Sequence, residues 1–123
     1  RPCICPPQRV DAYRARVSGP LLDRFDLRVD VPRADAHGAA GEATAAVASR
    51  VAGARERLDG LPPSVSDGAG RLLRRAVDQR YLSARGAARS TRVARTIAAL
   101  AGADAVSEEH MAEALSYRSG AGR

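Results

Sequence analysis

Residues 83–102 read Ser83-Ala-Arg-Gly-Ala-Ala-Arg-Ser-Thr-Arg-Val-Ala-Arg-Thr-Ile-Ala-Ala-Leu-Ala-Gly102, and this stretch decides the fold class. Ser83 is a favourable N-cap and Gly102 a favourable terminator, so the pattern predicts one long helix between them. The core-facing side of this helix carries Val93, Ile97 and Leu100.

The pattern is helical from about residue 41 onward. A helix is predicted over 42–58 and is stopped by Gly60, a second runs from Ser66 or Asp67 to about residue 81, and a last one is capped by Ser107. Their apolar faces consist of Val47, Val51 and Leu58, then Leu72, Leu73, Ala76 and Val77, then Met111, Ala114 and Leu115. Residues 61–66 are predicted to be a linker.

The first part of the chain predicts different elements. Two prolines precede a short helix over 8–17, and alternating residues over 27–31 predict a strand. Residues 33–40 are polar and predict a loop. Because one strand is not a sheet, we expect 27–31 to be the last strand of a sheet whose other strands are missing here, or to pair with another molecule.

Composition limits the fold and the class of function. The chain has 123 residues, which is the size of one domain, and only 3% aromatic residues with no Trp. A core of Leu, Val and Ala is therefore expected, and it favours packed helices over a sandwich or barrel. The expected fold class is mainly α.

All 20 basic residues are arginine. Without lysine the chain cannot form a G-x-x-x-x-G-K-[ST] phosphate loop or a Schiff base. The net charge of +6 permits a nucleic acid or nucleotide partner but does not require one.

No apolar run is long enough to span a membrane and no signal peptide is visible, so we expect a cytoplasmic protein without a membrane partner. The chain lacks an initiator Met, and we expect a fragment of a longer protein.

Arg24 lies in the segment Ser18-Gly-Pro-Leu-Leu-Asp-Arg-Phe-Asp-Leu27, between apolar anchors and just before the predicted strand. The backbone around it is expected to be rigid, and a fixed guanidinium suits a phosphate on a ligand or a neighbouring subunit. The alternative is a surface ion pair between Asp23 and Arg24.

Cys3 and Cys5 form a Cys-x-Cys pair that supplies half of a tetrahedral zinc site. Neither His37 nor His110 has a ligand partner at motif spacing, so the alternative is two reduced thiols. A disulfide is not expected between cysteines this close. No nucleophile–base–acid set is readable.

Arginines dominate one face of the predicted helix 83–101. Arg85, Arg89 and Arg92 follow i, i+4, i+7 spacing, and like charges on one face favour an anionic partner. The alternative is a solvated face, with Arg89 and Arg95 satisfied by Asp78 or Glu113. Arg85 differs because it lies in the first turn, where a helix attracts phosphate.

Taken in order, these blocks resemble the C-terminal part of the magnesium-chelatase-like AAA+ ATPases, with the ComM (YifB) type as the nearest subgroup. The resemblance rests on Cys3-Ile-Cys5, Gly19-Pro-Leu-Leu-Asp-Arg-Phe-Asp26, Leu82-Ser-Ala-Arg85, Arg92-Val-Ala-Arg-Thr-Ile-Ala98 and His110-Met-Ala-Glu-Ala-Leu-Ser-Tyr-Arg118. It is weakest over residues 33–70.

The resemblance implies a role for each matching residue. Arg24 matches the arginine finger that reaches the γ-phosphate of the neighbouring subunit's ATP, and Arg85 matches the sensor-2 arginine of the helical lid. Arg92 is a weaker candidate for the same nucleotide-binding neighbourhood. Cys3 and Cys5 match the second pair of a four-cysteine cluster, which implies a structural zinc in the longer protein. Residues 86–88, Gly-Ala-Ala, depart from the bulkier residues expected after the sensor arginine.

The implied organisation is the end of an AAA+ core over 1–33, a linker over 34–40, a helical lid over 41–118 and a disordered tail over 119–123. The Walker A and B motifs are absent, so this fragment is expected to bind no ATP and to be inactive alone. The longer protein is expected to use ATP and Mg²⁺ as a hexameric ring, and its implied function is DNA translocation or branch migration. Two alternatives are a chelatase-type motor that remodels a metal-inserting partner and a free-standing arginine-rich module that binds nucleic acid.

Overall fold

A computed structural model of the chain describes residues 4–22, 24–31, 41–79 and 81–119. The described elements, in chain order, are α1 (Pro7–Arg14), α2 (Gly19–Leu22), α3 (Thr44–Asp59), β1 (Ser64–Val65), α4 (Asp67–Asp78), α5 (Ala84–Leu100), β2 (Ala105–Val106) and α6 (Glu108–Ser119). The mainly α prediction is confirmed, and the predicted helix starts and stops agree to within a few residues. The predicted linker 34–40 and most of the predicted tail 119–123 lie outside the described residues.

Helix α5 is the centre of the fold, with α3 and α6 packed against it and α4 packed on α6. Its buried positions are small (Gly86, Ser90, Ala94, Ala98 and Ala99), with Val93 as the larger exception. Small side chains let neighbouring helices approach closely. The core is completed by Ala69, Val106, Met111 and Ala114. An apolar core without buried aromatics therefore forms as the composition predicts.

A two-residue parallel ladder joins the segments that lead into α4 and α6. Ser64 pairs with Ala105 and Val65 with Val106, and Val106 is fully buried. The sequence predicted a linker over 61–66 and missed this ladder, because two residues are too few to show alternation. The ladder fixes where α4 and α6 begin relative to each other.

Side-chain caps define the starts of these helices. The Ser66 hydroxyl accepts from the Ala69 amide at 3.3 Å, and the Ser83 hydroxyl accepts from the Gly86 amide at 3.1 Å. At α6 the cap is reciprocal: the Ser107 hydroxyl accepts from the His110 amide at 3.3 Å, while His110 Nδ1 accepts from the Ser107 amide at 3.1 Å. His110 is thus a capping residue, as Glu is in a capping box.

Within the described stretch 24–31 no strand forms, and the strand predicted over 27–31 stays a prediction because its partner strands were expected outside this chain. These residues run instead beside α5 and α6, and the Arg28 amide donates to the Tyr117 carbonyl at 3.0 Å. A strand needs a partner strand to satisfy its backbone, and α6 offers only its last free carbonyls.

The first 31 residues bury little apolar surface in the described structure. Within α1 no side chain is buried. Large apolar residues remain exposed along this part, namely Ile4, Tyr13, Val17, Leu21, Phe25, Leu27, Val29 and Val31. A short helix that buries so little is not stabilised by its own hydrogen bonds. Among the described helices none is long and apolar enough to cross a bilayer.

Candidate functional site

Arg24 lies just after α2, on the surface of the molecule. Its amide donates to the Leu21 carbonyl at 2.9 Å, which continues the turn of α2 beyond Leu22. Among the described residues no carboxylate lies within ion-pair distance of its guanidinium. Asp23 is outside the described residues, so the predicted Asp23–Arg24 pair stays untested. The backbone is ordered by a turn while the charged group remains accessible.

The backbone of Arg24 is held by Arg89 of α5. Arg89 Nη1 donates to the Arg24 carbonyl at 2.6 Å and to Asp26 Oδ1 at 2.8 Å. Its side chain is 22% exposed and that of Asp26 39% exposed. Solvent screening limits a pair of this exposure to about 1 kcal/mol. The sequence offered Asp78 or Glu113 as the partner of Arg89, and the structure shows Asp26 instead.

Helix α6 supplies a second attachment for the same segment. Arg118 Nη1 donates to the Phe25 carbonyl at 3.2 Å, and the Arg28 amide donates to the Tyr117 carbonyl at 3.0 Å. Residues 24–28 are therefore held on α5 and α6 at several successive backbone groups. We call residues 24–28 the docked segment.

Arg85 lies in the first turn of α5 and is exposed. The turn is tight: a Cβ built on buried Gly86 would lie 3.3 Å from Leu82 Cδ2 and 3.5 Å from Arg118 Nη2. Glycine at this position therefore admits the Arg118 side chain beside the N-terminus of α5. Arg85 precedes Arg89 by one turn, about 6 Å along the axis of the same helix.

Arg92 lies one further turn along α5 and is also drawn towards the docked segment. Its Nη1 is 3.9 Å from Asp26 Oδ2, and its side chain is 71% exposed. An ion pair this long and exposed contributes little stability. The basic stripe predicted from spacing is thus partly neutralised by one carboxylate, Asp26, which faces both Arg89 and Arg92.

A groove of about 410 Å³ lies between residues 26–29 on one side and helices α5 and α6 on the other. Its lining is mostly apolar and consists of Leu27, Val29, Val93, Ile97, Leu100 and Tyr117, with Asp26, Arg92, Thr96 and Glu113. Tyr117 donates its hydroxyl to Glu113 at 3.1 Å, and that bond raises the pKa of Tyr117 above its usual value. Leu100, expected to face the core, lies at the rim of this groove and is 40% exposed.

The cysteine pair receives no support as a metal site within the described residues. Cys5 is an exposed free thiol, and Cys3 is outside the described residues. Among the described residues no group of three or more His, Cys, Asp or Glu is placed to hold a metal ion. The zinc prediction therefore stays untested for the pair and rests on spacing and resemblance.

Two family models match different parts of the chain. Residues 63–118, which include α4, α5 and α6, match the model described as magnesium chelatase, subunit ChlI C-terminal. Residues 1–39 match the model described as magnesium chelatase, subunit ChlI. The docked segment thus lies in one match and α4 to α6 in the other, while α3 lies in neither; we call α3 to α6 the helical domain. No solved structure gives a significant match.

Relatives align over nearly the whole chain but are much longer. An uncharacterized protein of Mycobacterium tuberculosis (strain H37Rv) is 40% identical over 94% of this chain and 27% of its own length. The uncharacterized protein YifB of Salmonella typhimurium is 35% identical over 93% of this chain. The competence protein ComM of Haemophilus influenzae is 34% identical over 91% of this chain and 26% of its own length. The chain therefore spans about a quarter of the relatives it matches, and it belongs to the magnesium-chelatase-like family of AAA+ proteins.

Proposed function

We propose that the chain supplies two arginines to the ATPase sites of a ring-forming AAA+ motor. Arg24 acts in trans on the γ-phosphate of the neighbouring subunit's ATP, and Arg85 contacts the nucleotide of its own subunit from the helical lid. Arg92 is a weaker candidate for a nucleotide contact, since it already faces Asp26. The parts that bind ATP and Mg²⁺ belong to the longer protein.

One observation carries this proposal: an exposed arginine stands on a segment whose backbone is docked at several points. A cation that stabilises a transition state must be held in place before the reaction, since reorganisation costs rate. The family match over residues 1–39 supports the same assignment for the segment that contains Arg24.

The chemistry explains why a second subunit must contribute a charge. A water oxygen attacks the γ-phosphorus and releases a proton to the solvent, the bond from that phosphorus to the β,γ-bridging oxygen breaks, and ADP and phosphate leave. Negative charge is redistributed over the γ- and β-phosphate oxygens during this step, and an arginine finger typically raises the rate by about 10³–10⁵. Because the chain has no lysine, it contains no phosphate loop of its own for Arg24 to serve.

The test is Arg24→Ala in the full-length protein. We expect nucleotide binding to be retained, because a trans finger acts mainly on the transition state, while kcat for ATP hydrolysis falls by about 10³-fold or more. Binding is measured with a fluorescent ATP analogue and turnover by phosphate release. Unchanged ATPase activity would contradict the proposal.

Arg50→Ala provides the matched control. Arg50 forms a bidentate pair with Glu42 at 2.7 and 2.9 Å, so Arg50→Ala removes one positive charge, as Arg24→Ala does, at a site away from the candidate finger. That pair holds the pKa of Glu42 below its usual value, and it involves neither the docked segment nor α5. We expect Arg50→Ala to leave kcat unchanged.

We propose that the longer protein acts on DNA as a translocase or branch-migration helicase, in a hexameric ring in the cytoplasm. The +6 net charge and the relative named as a competence protein support this choice. The alternative is a chelatase-type motor, which the descriptions of the family models support. ATPase activity stimulated by DNA favours the first, and stimulation only by a metal-inserting partner protein favours the second.

Exposed arginines of α4 keep a third function open, a module that binds nucleic acid without ATP. Arg71, Arg74 and Arg75 are exposed on that helix. DNA binding by the isolated chain with a steep dependence on salt, together with no ATPase effect of Arg24→Ala in the longer protein, would favour this module.

A structural zinc held by Cys3, Cys5 and two further cysteines of the longer protein remains a proposal, tested by metal analysis of that protein.

A further inference from the structure

The contact between Arg89 and the docked segment carries a further inference, which rests on the proposed function. One nitrogen, Nη1 of Arg89, donates to both the Arg24 carbonyl at 2.6 Å and Asp26 Oδ1 at 2.8 Å. The residues joined are separated by 65 and 63 positions in the sequence. These bonds therefore tie the region of the candidate finger, which lies in one family match, to α5, which lies in the other.

We propose that Arg89 and Asp26 form a clasp that positions Arg24 and couples it to Arg85 through helix α5. Neither clasp residue touches ATP in this scheme. Arg89 fixes the backbone that carries the Arg24 side chain, and Asp26 fixes the Arg89 guanidinium. Both are positioning residues, and Arg24 is the group that acts on phosphate.

The coupling follows from the placement of the two arginines on one rigid element. Arg85 and Arg89 are four positions apart, so they lie on the same side of α5, one turn from each other. A displacement of α5 when Arg85 engages nucleotide therefore moves Arg89 and, through the two short bonds, the backbone of Arg24. The nucleotide bound to one subunit would thus determine the position of that subunit's Arg24, and with it the rate of ATP hydrolysis at the neighbouring subunit's site.

The attachment to α6 restricts the way in which the docked segment can follow α5. The Arg118 guanidinium donates to the Phe25 carbonyl, and the Tyr117 carbonyl accepts from the Arg28 amide. With α6 packed on α5, the segment moves with the helical pair as one body. Without the clasp the α6 contacts still form but open more often, so we expect a misplaced finger rather than an unfolded segment.

The experiment compares Asp26→Asn, Arg89→Ala, Arg89→Lys and Arg24→Ala in the full-length protein. A misplaced reacting group costs about 10²-fold in rate, so Asp26→Asn and Arg89→Ala should lower kcat by about 10-fold to 100-fold with KM nearly unchanged. Arg89→Lys keeps a donor and the charge, and should retain more activity than Arg89→Ala. The double variant Asp26→Asn/Arg89→Ala should lose no more than the worse single variant.

Hydrogen exchange supplies a readout that does not depend on activity. The Arg28 amide is hydrogen-bonded to the Tyr117 carbonyl, so it should exchange faster in Arg89→Ala and at the unmutated rate in the control Arg50→Ala. Faster exchange with lower kcat supports the clasp. Should Arg89→Ala fail to fold, Asp26→Asn carries the test, since it preserves the shape of the side chain.

The possible failures are distinguishable. Full kcat in Asp26→Asn and Arg89→Ala, with kcat lost in Arg24→Ala, would overturn the clasp and leave the finger assignment standing. Full kcat in all three variants would overturn both the proposed function and the clasp. Additive losses in the double variant would show that Arg89 and Asp26 act separately, which also overturns the clasp.

Discussion

At the scale of single residues, the three arginines predicted to share one face of α5 have three different environments. Arg85 is exposed at the helix start, Arg89 is mostly shielded and bonded to the docked segment, and Arg92 is 71% exposed at 3.9 Å from a carboxylate. Identical spacing predicts a shared face but not a shared partner. The partner is decided by which backbone lies opposite each turn.

Arg85 gives the prediction that belongs to this scale. We expect Arg85→Ala in the full-length protein to weaken nucleotide binding about tenfold, because a hydrogen bond to a charged group is worth about 1.5–3 kcal/mol. Titration with a fluorescent ATP analogue measures the change. Arg55→Ala, which removes another exposed arginine on α3, is the control and should bind normally. Intact affinity and turnover in Arg85→Ala would make Arg85 a surface residue.

The sequence indicates which residues are candidates for the site better than it indicates which residues they contact. Arg24 could be singled out because apolar anchors and a Gly-Pro turn surround it in the chain. Arg89 could be singled out as part of the basic face, but its partners could not be predicted, since Arg24 and Asp26 are more than 60 positions away and are brought close only by the fold. A weak hint existed: three arginines on one face require nearby negative charge, and Asp26 is part of the conspicuous Arg-Phe-Asp block.

At the scale of secondary structure, the helix boundaries are the best-predicted feature because capping is local. Ser83 and Ser107 accept amide hydrogen bonds as predicted, and of the two candidates for α4 it is Ser66, not Asp67, that caps the helix. No strand forms over 27–31 within the described residues, since alternation permits a strand but only a partner strand creates one, and the prediction placed the partner strands outside this chain. The ladder between β1 and β2 was missed because it is short and joins residues 41 positions apart.

The reciprocal cap of α6 gives the prediction at this scale. We expect Ser107→Ala to reduce the free energy of unfolding by about 1 kcal/mol, because the His110 amide loses its acceptor at the helix start. Denaturant unfolding of the chain measures it. Ser116→Ala is the matched control on the same helix, since the Ser116 hydroxyl only donates to the Glu113 carbonyl, and it should change stability by less than about 0.5 kcal/mol. Equal effects of the two substitutions would contradict the capping role.

At the scale of the whole molecule, the two parts of the chain differ in how they bury apolar surface. Helices α4 to α6 enclose a core and α3 packs against α5, whereas eight large apolar residues of 4–31 remain exposed. This contrast supports the proposal that the first 33 residues are the end of an AAA+ core that belongs to a longer protein. The docked segment joins that part to the helical domain through hydrogen bonds rather than through a shared apolar core.

The central claim is that Arg24 promotes hydrolysis of the ATP bound to a neighbouring subunit. Rings that mix two variants test this claim most directly. Full-length Arg24→Ala protein is mixed with a full-length variant that cannot bind ATP, each inactive alone. We expect the mixture to hydrolyse ATP, because mixed rings place an intact nucleotide site of one subunit against the intact Arg24 of the next. A mixture that remains as inactive as its components, although mixed rings form, would contradict the account.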